Sequence, residues 1–259
     1  MKTITSVDNQ LYKSLFRLKQ KKHRDRERKY LIEGPNLITE AIESGEQLDF
    51  ILCSSHYSFQ EEAVPIIYLD EKLFLKLSDT ESPQGVMAVA RKKIYSEEEF
   101  FSQDKVQKSN IVVLDRLQDP GNIGTILRTA EAAGYKGAMI IKGTADIYAP
   151  KIVRAATGTL FRLPTFFVET AEEAIDLLKR YHKKTVCTVL SDSQKYYEVD
   201  LKEDTALIIG NEGNGASKEF IINSDIRVKI PMGGSVESLN AAVAAGILMY
   251  ESFRQRQNQ

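Results

Sequence analysis

From Asn110 onward the chain alternates between short runs rich in Val and Ile and longer amphipathic stretches, and this alternation restricts the fold most tightly. NIVVLD, GAMIIKG, TFFVE, TVCTVL, ALIIG and VKIP read as strands. NIGTILRTAEAAG, PKIVRAATG, EEAIDLLKRYH, ASKEFII and SLNAAVAAGILMYESF read as helices. Apolar strands separated by helices predict an α/β fold, a mostly parallel sheet with helices on both faces. Ligands of such sheets bind beyond the carboxyl ends of the strands. Three loops occupy such ends: DRLQDPGNIG, GNEGNG and PMGGSVES.

The preceding residues predict a smaller α/β domain over 1–92. It comprises a basic helix over 8–29, a strand over 30–33, a helix over 35–42, strands over 50–53 and 65–69, a further helix and a strand over 86–91. The charged, weakly periodic KKIYSEEEFFSQDKVQKSN predicts a linker over 93–109, leaving 110–259 as the second domain. Net charge is only -1, but residues 1–30 carry ten Lys/Arg against three Asp/Glu, leaving -8 on the rest. A basic arm on an acidic body suits an anionic partner, although a solvated helix face would carry the same charges.

Cys53 and Cys187 stand far apart, and His23, His56 and His182 share no ligand spacing, so neither a disulfide framework nor a metal site is expected. There is no apolar leader and no run of 18 apolar residues; a cytoplasmic protein that does not enter membranes is expected.

The glycines of LIIGNEGNGAS invite a nucleotide, yet their spacing is G-x-x-G-x-G, whereas the dinucleotide fingerprint is G-x-G-x-x-G. That fingerprint also needs an acidic residue ending the next strand, and Asp225 comes too early. A dinucleotide-dependent oxidoreductase is therefore disfavoured. Taken singly, the remaining polar residues have structural readings. Asn122 and Ser238 can cap helices, Arg128 can be a solvated helix charge, and Glu212 can be a turn residue or meet amides, a ribose or an arginine.

In combination they say more. D-P-x-N-x-G-x3-R, then I-x-G-x-E-G-x-G, then I-P-M-x-G-x2-E-S-L-N-x-A-x-A, in that order, resemble the SpoU/TrmH family of RNA ribose 2'-O-methyltransferases, within the SPOUT class. The motifs span roughly 110–255. YLIEGPNLITEAI and SPQGVMAVA resemble the substrate-binding domain of members that modify ribosomal RNA.

The resemblance implies a trefoil knot in the C-terminal domain, holding S-adenosylmethionine; general topology rules by themselves argue against knots. A methyl donor without a pyrophosphate would also explain the missing fingerprint. By motif matching, the catalytic set is Asn122, Arg128, Glu212, Ser238 and Asn240. Arg128 matches the arginine acting at the 2'-hydroxyl. Because a guanidinium keeps its proton to above pH ~12, electrostatic positioning suits it better than base catalysis. Proton removal is left open between a phosphate oxygen, water and Glu212, and an Arg128–Glu212 pair is one expected geometry. The donor contacts implied are Leu190, Gly210, Asn211, Gly213, Ile230, Met232, Ser238 and Leu239. In KIVRAATG, similar to the family's R-A-S-x-G segment, Ala156 replaces the serine.

RNA is expected on Lys21, Lys22, Arg24, Arg26, Arg28 and Arg154, with large-subunit ribosomal RNA preferred and a guanosine as target. Transfer RNA, or a non-catalytic ribosome-assembly role, are the alternatives. The helix from Leu239 is apolar nearly all round, more than one sheet can bury, which fits the homodimer the family forms through this domain.

Overall fold

The computed structural model describes residues 3–102, 109–190 and 192–257, which form two compact units. In chain order the elements are β1 (Thr3–Ile4), α1 (Gln10–Arg17), α2 (Lys21–Glu27), β2 (Lys29–Glu33), α3 (Pro35–Glu43), β3 (Leu48–Ser54), β4 (Ile66–Leu69), α4 (Glu71–Leu77) and β5 (Val86–Arg91). There follow α5 (Glu97–Phe101), β6 (Ile111–Leu114), α6 (Pro120–Ala132), β7 (Gly137–Ile141), α7 (Pro150–Ala156), α8 (Thr159–Arg162), β8 (Thr165–Val168) and α9 (Ala171–Arg180). The chain ends with β9 (Lys184–Thr188), β10 (Gln194–Lys195), β11 (Thr205–Ile209), α10 (Lys218–Asn223), β12 (Ile226–Lys229) and α11 (Ala241–Gln257).

The first unit takes in the residues up to Lys93 together with Asp146–Arg162. Its five-stranded sheet has the order β1-β4-β3-β5-β2 and is mixed: β1, β4 and β3 run parallel, whereas β5 is antiparallel to both β3 and β2. Leu15, Leu18, Leu52, Leu69, Phe74 and Met87 form part of its core. The long basic helix expected over 8–29 is broken into α1 and α2. At the break, Arg24 turns inward: Nη1 donates to the carbonyls of Leu18 and Lys19 (both 2.8 Å), groups a helix end leaves unpaired. Its Nε and Nη2 donate to Asp146 Oδ2 at 2.8 and 2.6 Å.

That ion pair explains why residues 146–162 belong with this unit, a division different from a simple cut between 92 and 110. Asp146 leads into α7, which packs on β2.

The second unit holds the seven-stranded sheet, order β10-β12-β9-β11-β6-β7-β8, in which every neighbouring pair is parallel. Val113, Met139, Ile208 and Phe220 are among its fully buried side chains. Part of the stretch expected as linker is the helix α5, closed by a capping box in which Ser96 Oγ accepts from the Glu99 amide and the Glu99 carboxylate accepts from the Ser96 amide. Phe100 and Phe101 are buried there, so two adjacent rings anchor a segment whose composition otherwise looks solvated. The remainder of that expectation, 103–108, lies outside the described residues. No helix among the described residues is long and apolar enough to cross a membrane.

Candidate functional site

In the second unit the sheet is wholly parallel, so β6, β9, β11 and β12 all end on the same edge, and their following segments meet there. Each is shaped by a local cause. After β6, Asp115 is wholly buried and its Oδ2 accepts from the Ser217 amide at 2.6 Å. Arg116 follows with φ 59, turning the chain sharply. The helix α6 begins at Pro120 with Asp119 as its cap, Oδ1 accepting from the Asn122 amide at 2.8 Å. Proline suits the first helical position because its missing N–H would have no partner there. Asn122 is therefore not the cap; it sits inside the first turn with its side chain free for another use.

After β11, Asn211 and Gly215 exchange two backbone hydrogen bonds (3.0 and 2.8 Å), folding GNEGNG into a tight hairpin. Asn211 Oδ1 accepts from the Gly213 and Asn214 amides, and its Nδ2 donates to the Arg116 carbonyl at 2.8 Å, stitching the hairpin to the β6 loop. The glycine at 210 answers to this closeness, since a Cβ there would lie 2.0 Å from the Ala216 nitrogen. The backbone that Gly210 lets in is thus the loop's own returning strand.

Glu212, at the hairpin tip, reaches across to the β6 loop. It accepts from the amides of Gln118 and Asp119, both at 3.0 Å, and from Asn122 Nδ2 at 3.2 Å. Because a carboxylate can only accept, Asn122 must present its NH2 to it and its oxygen away. That oxygen accepts from Asn240 Nδ2 at 2.9 Å. Asn240 Oδ1 in turn accepts from the Ala242 and Val243 amides and caps α11. Capping thus falls to Asn240, not to Ser238, and the helix starts at Ala241. Partial burial pushes the Glu212 carboxyl up, but the Asp119, Gln118 and Glu212 amides and Asn122 outweigh it and hold the group below the usual range. Glu212 is an ionised clamp with both oxygens engaged, poorly placed to collect a proton.

Behind this chain of side chains lies a pocket of about 800 Å³. Every residue assigned to the donor from sequence lines it: Leu190 after β9, then Gly210, Asn211 and Gly213. Ile230, Met232, Ser238 and Leu239 come from the segment after β12. Glu212 and Asn240 line it too. The volume falls in the range of small-molecule sites, and the lining mixes aliphatic side chains with loop backbone, which fits a nucleoside carrying an amino-acid tail. Carboxylates at Glu212, Glu237 and Asp192 suit a cationic ligand. Among the described residues, no group of His, Cys, Asp and Glu could hold a metal ion.

Arg128 is not brought to this cluster within the chain. It is exposed, and the expected Arg128–Glu212 ion pair is absent because the carboxylate is already occupied by the β6 loop. Six residues of helix rotate a side chain by about 240° relative to Asn122, so the two cannot share a face. Arg24 must likewise be withdrawn from the RNA-contacting set: it is 4 % exposed and its guanidinium is consumed internally. Lys21 and Arg26 are exposed but paired with Asp25 and Glu27, whereas Lys22 and Arg28 are exposed on the same segment. Arg154 is half-buried, its Nη2 3.4 Å from the Asp79 carbonyl. Gln118, Asp115 and Arg116 were passed over. Their signal was the Asp-Pro cap at 119–120, which leaves the Gln118 and Asp119 amides free to receive an anion.

Comparison with known proteins agrees with this geometry. Residues 109–250 match the SpoU rRNA Methylase family, and residues 9–88 match the MRM3-like substrate binding domain. The chain is 36% identical over 253 residues to 23S rRNA (guanosine(2553)-2'-O)-methyltransferase RlmP of Bacillus subtilis, covering 96% of this chain and 98% of that protein. It resembles the AdoMet-bound rRNA methyltransferase of Sinorhizobium meliloti with a TM-score of 0.87 at 29% identity, covering 98% of each chain. The SpoU methyltransferase AviRb of Streptomyces viridochromogenes in complex with AdoMet matches with a TM-score of 0.88 at 30% identity, covering 96% of this chain and 98% of that one. With a family match over a stretch that contains every residue lining the pocket and a relative this similar end to end, the chain belongs to the SpoU rRNA Methylase family.

Proposed function

We propose that this protein methylates a ribose 2'-hydroxyl of large-subunit ribosomal RNA, at a guanosine, using S-adenosylmethionine. The observation that carries the reading is the hydrogen-bonded chain Glu212–Asn122–Asn240, whose two end residues line the pocket. The similarity to RlmP over almost the whole chain supports the RNA and the base. The substrate-binding match over 9–88 supports ribosomal over transfer RNA.

When bound, S-adenosylmethionine supplies an activated methyl group on a sulfonium. The chain's task is then alignment and management of one proton. Leu190, Ile230, Met232 and Leu239 would hold the adenosine against apolar surface, with loop backbone at Gly210 and Gly213 giving polar contacts. Asn122 and Asn240, locked in orientation by Glu212 at one end and the α11 amides at the other, present a rigid polar edge to the ribose. Since three donors occupy the Glu212 carboxylate and hold it below the usual range, making it a weak base, the hydroxyl proton passes to a phosphate oxygen of the RNA or to water. Ser238, exposed beside Asn240, closes the same edge.

Arg128 enters the site across a subunit boundary. The exposed Val243 and Tyr250 on α11, which packs on α6, support a homodimer through this unit. The trefoil knot belongs to the same proposal. Strand order supports it, β12 lying beyond β9 while α11 returns to α6.

The test is transfer of a labelled methyl group to RNA from cells lacking the gene, followed by mapping of ribose methylation. A single large-subunit guanosine that gains label is expected. Label in transfer RNA would move the substrate, and label in no RNA would leave a non-catalytic binder.

A further inference from the structure

Arg116 is held in a backbone conformation unusual for its residue type. Its φ of 59 lies in the left-handed region, which an arginine enters only at a cost and which recurs at functional sites. The conformation is fastened from both sides. The Arg116 amide donates to Thr144 Oγ1 at 3.0 Å, and its carbonyl accepts from Asn211 Nδ2 at 2.8 Å and Gln118 Nε2 at 3.1 Å. The side chain is steered as well: Nε donates to Asp115 Oδ1 at 3.0 Å, and the aliphatic stem lies over Gly143, where an added Cβ would come within 3.2 Å of Cγ. Only Nε is spent. Among the described residues neither terminal nitrogen has a partner, and the side chain is 44% exposed.

The result is a planar fork with its stem fixed and its two outer nitrogens open to solvent, the geometry that takes a phosphate bidentately. Its position gives the fork a purpose. Arg116 sits at the carboxyl end of β6 beside the end of β7, whereas the donor pocket opens on the side of β9, β11 and β12. It is two residues from Gln118, whose amide holds the ionised Glu212. A polyanion approaching there meets Glu212 and Asp119, and a cation is needed to offset that repulsion.

We propose that Arg116 is a substrate-binding residue on the acceptor side of the site, its free nitrogens taking an RNA phosphate adjoining the ribose that is modified. The inference rests on the RNA methyltransferase reading above and adds to it a contact outside the matched motif residues.

The experiment compares wild type, Arg116→Asn and Arg116→Lys as full chains, using unmodified large-subunit ribosomal RNA transcript as probe. Asparagine tolerates the left-handed conformation, so the turn is retained while the fork is lost. Arg116→Asn is expected to bind the transcript about tenfold more weakly, with a salt dependence shallower by somewhat under one in log–log slope, because Asp115 already screens part of the charge. In turnover the loss falls on KM for RNA rather than on kcat, and the dissociation constant for S-adenosylmethionine stays at the wild-type value. Arg116→Lys should restore the slope but only part of the affinity, because an ammonium is a point charge.

A wild-type salt slope in Arg116→Asn would overturn the proposal. So would joint loss of RNA and donor binding, which would assign Arg116 to holding Asp115 and the loop beneath it. Wild-type protein that binds RNA but transfers no methyl group would sink the enzymatic reading, while the slope comparison would still decide the role of Arg116. Wild-type protein that binds no RNA would overturn both.

Discussion

The two sheets of this protein use the same strand-forming residues to different ends. In the seven-stranded sheet every neighbouring pair is parallel, so four successive strand ends deliver their loops to one edge, and a pocket forms where they meet. In the five-stranded sheet β5 runs against both its neighbours, and loops are shared between two edges. Its charges are largely spent on one another: Lys29 and Arg91 on Asp49, Lys92 on Asp25, Arg162 on Glu40 and Arg24 on Asp146. A parallel sheet gathers function, whereas a mixed sheet offers a surface. The difference teaches that basic residues counted along a sequence are not yet a binding face.

The sharpest break of that comparison is at Arg24. If its role is internal, Arg24→Ala leaves Asp146 buried without its partner and destabilises the first unit by about 3 to 5 kcal/mol, read by hydrogen exchange of β2 and α7. An unchanged exchange pattern with weakened RNA binding would return Arg24 to the surface set.

Next comes Gly210→Ala on the converging side. Backbone cannot give way as a side chain can, so the hairpin should open, and donor affinity, measured by equilibrium dialysis, should fall by about two orders of magnitude. Glu212→Gln keeps the length of the clamp but removes its charge and turns one accepting oxygen into a donor that faces an amide N–H. Methyl transfer should drop by about tenfold, as expected for hydrogen bonds that lose an ionised acceptor.

Smaller again is Lys22→Ala with Arg28→Ala, expected to lower the RNA salt slope by about two, while Lys21→Ala and Arg26→Ala do less because Asp25 and Glu27 already screen them. The least effect is that of acid. Glu212 titrates below its ordinary value of 4.5, so the stability it lends the folded loop is complete above that pH and is lost only as pH falls through the lowered value. Donor binding at pH about 5 should therefore match that at neutrality, and in Glu212→Gln the acid limb should disappear.

Much of the second unit was legible because its strands are short and apolar and its helices periodic. The glycine-rich hairpin, the β6 loop and the segment before α11 were each visible as strand-end loops, and the donor residues named from them do line one pocket. The helix starts were less legible. Asn122 and Ser238 both look like caps in sequence, yet Asp119 and Asn240 do the capping, because Pro120 fixes where α6 begins and Asn240 is drawn to Asn122. The helix α5 was missed because Phe100 and Phe101, adjacent in sequence, give no helical period.

What the sequence determined alone was local and additive: the alternation of strand and helix, the loops at strand ends, the motif residues and an excess of positive charge near the start. What only the tertiary structure decided was pairing. Asn122 joins Asn240 across 118 residues, Glu212 reaches Gln118 across 94, and Arg24 finds Asp146 across 122. Hydrogen-bonding capacity is a property of a residue type, but whether it is spent inward or kept for a ligand depends on which distant groups folding brings within about 3 Å.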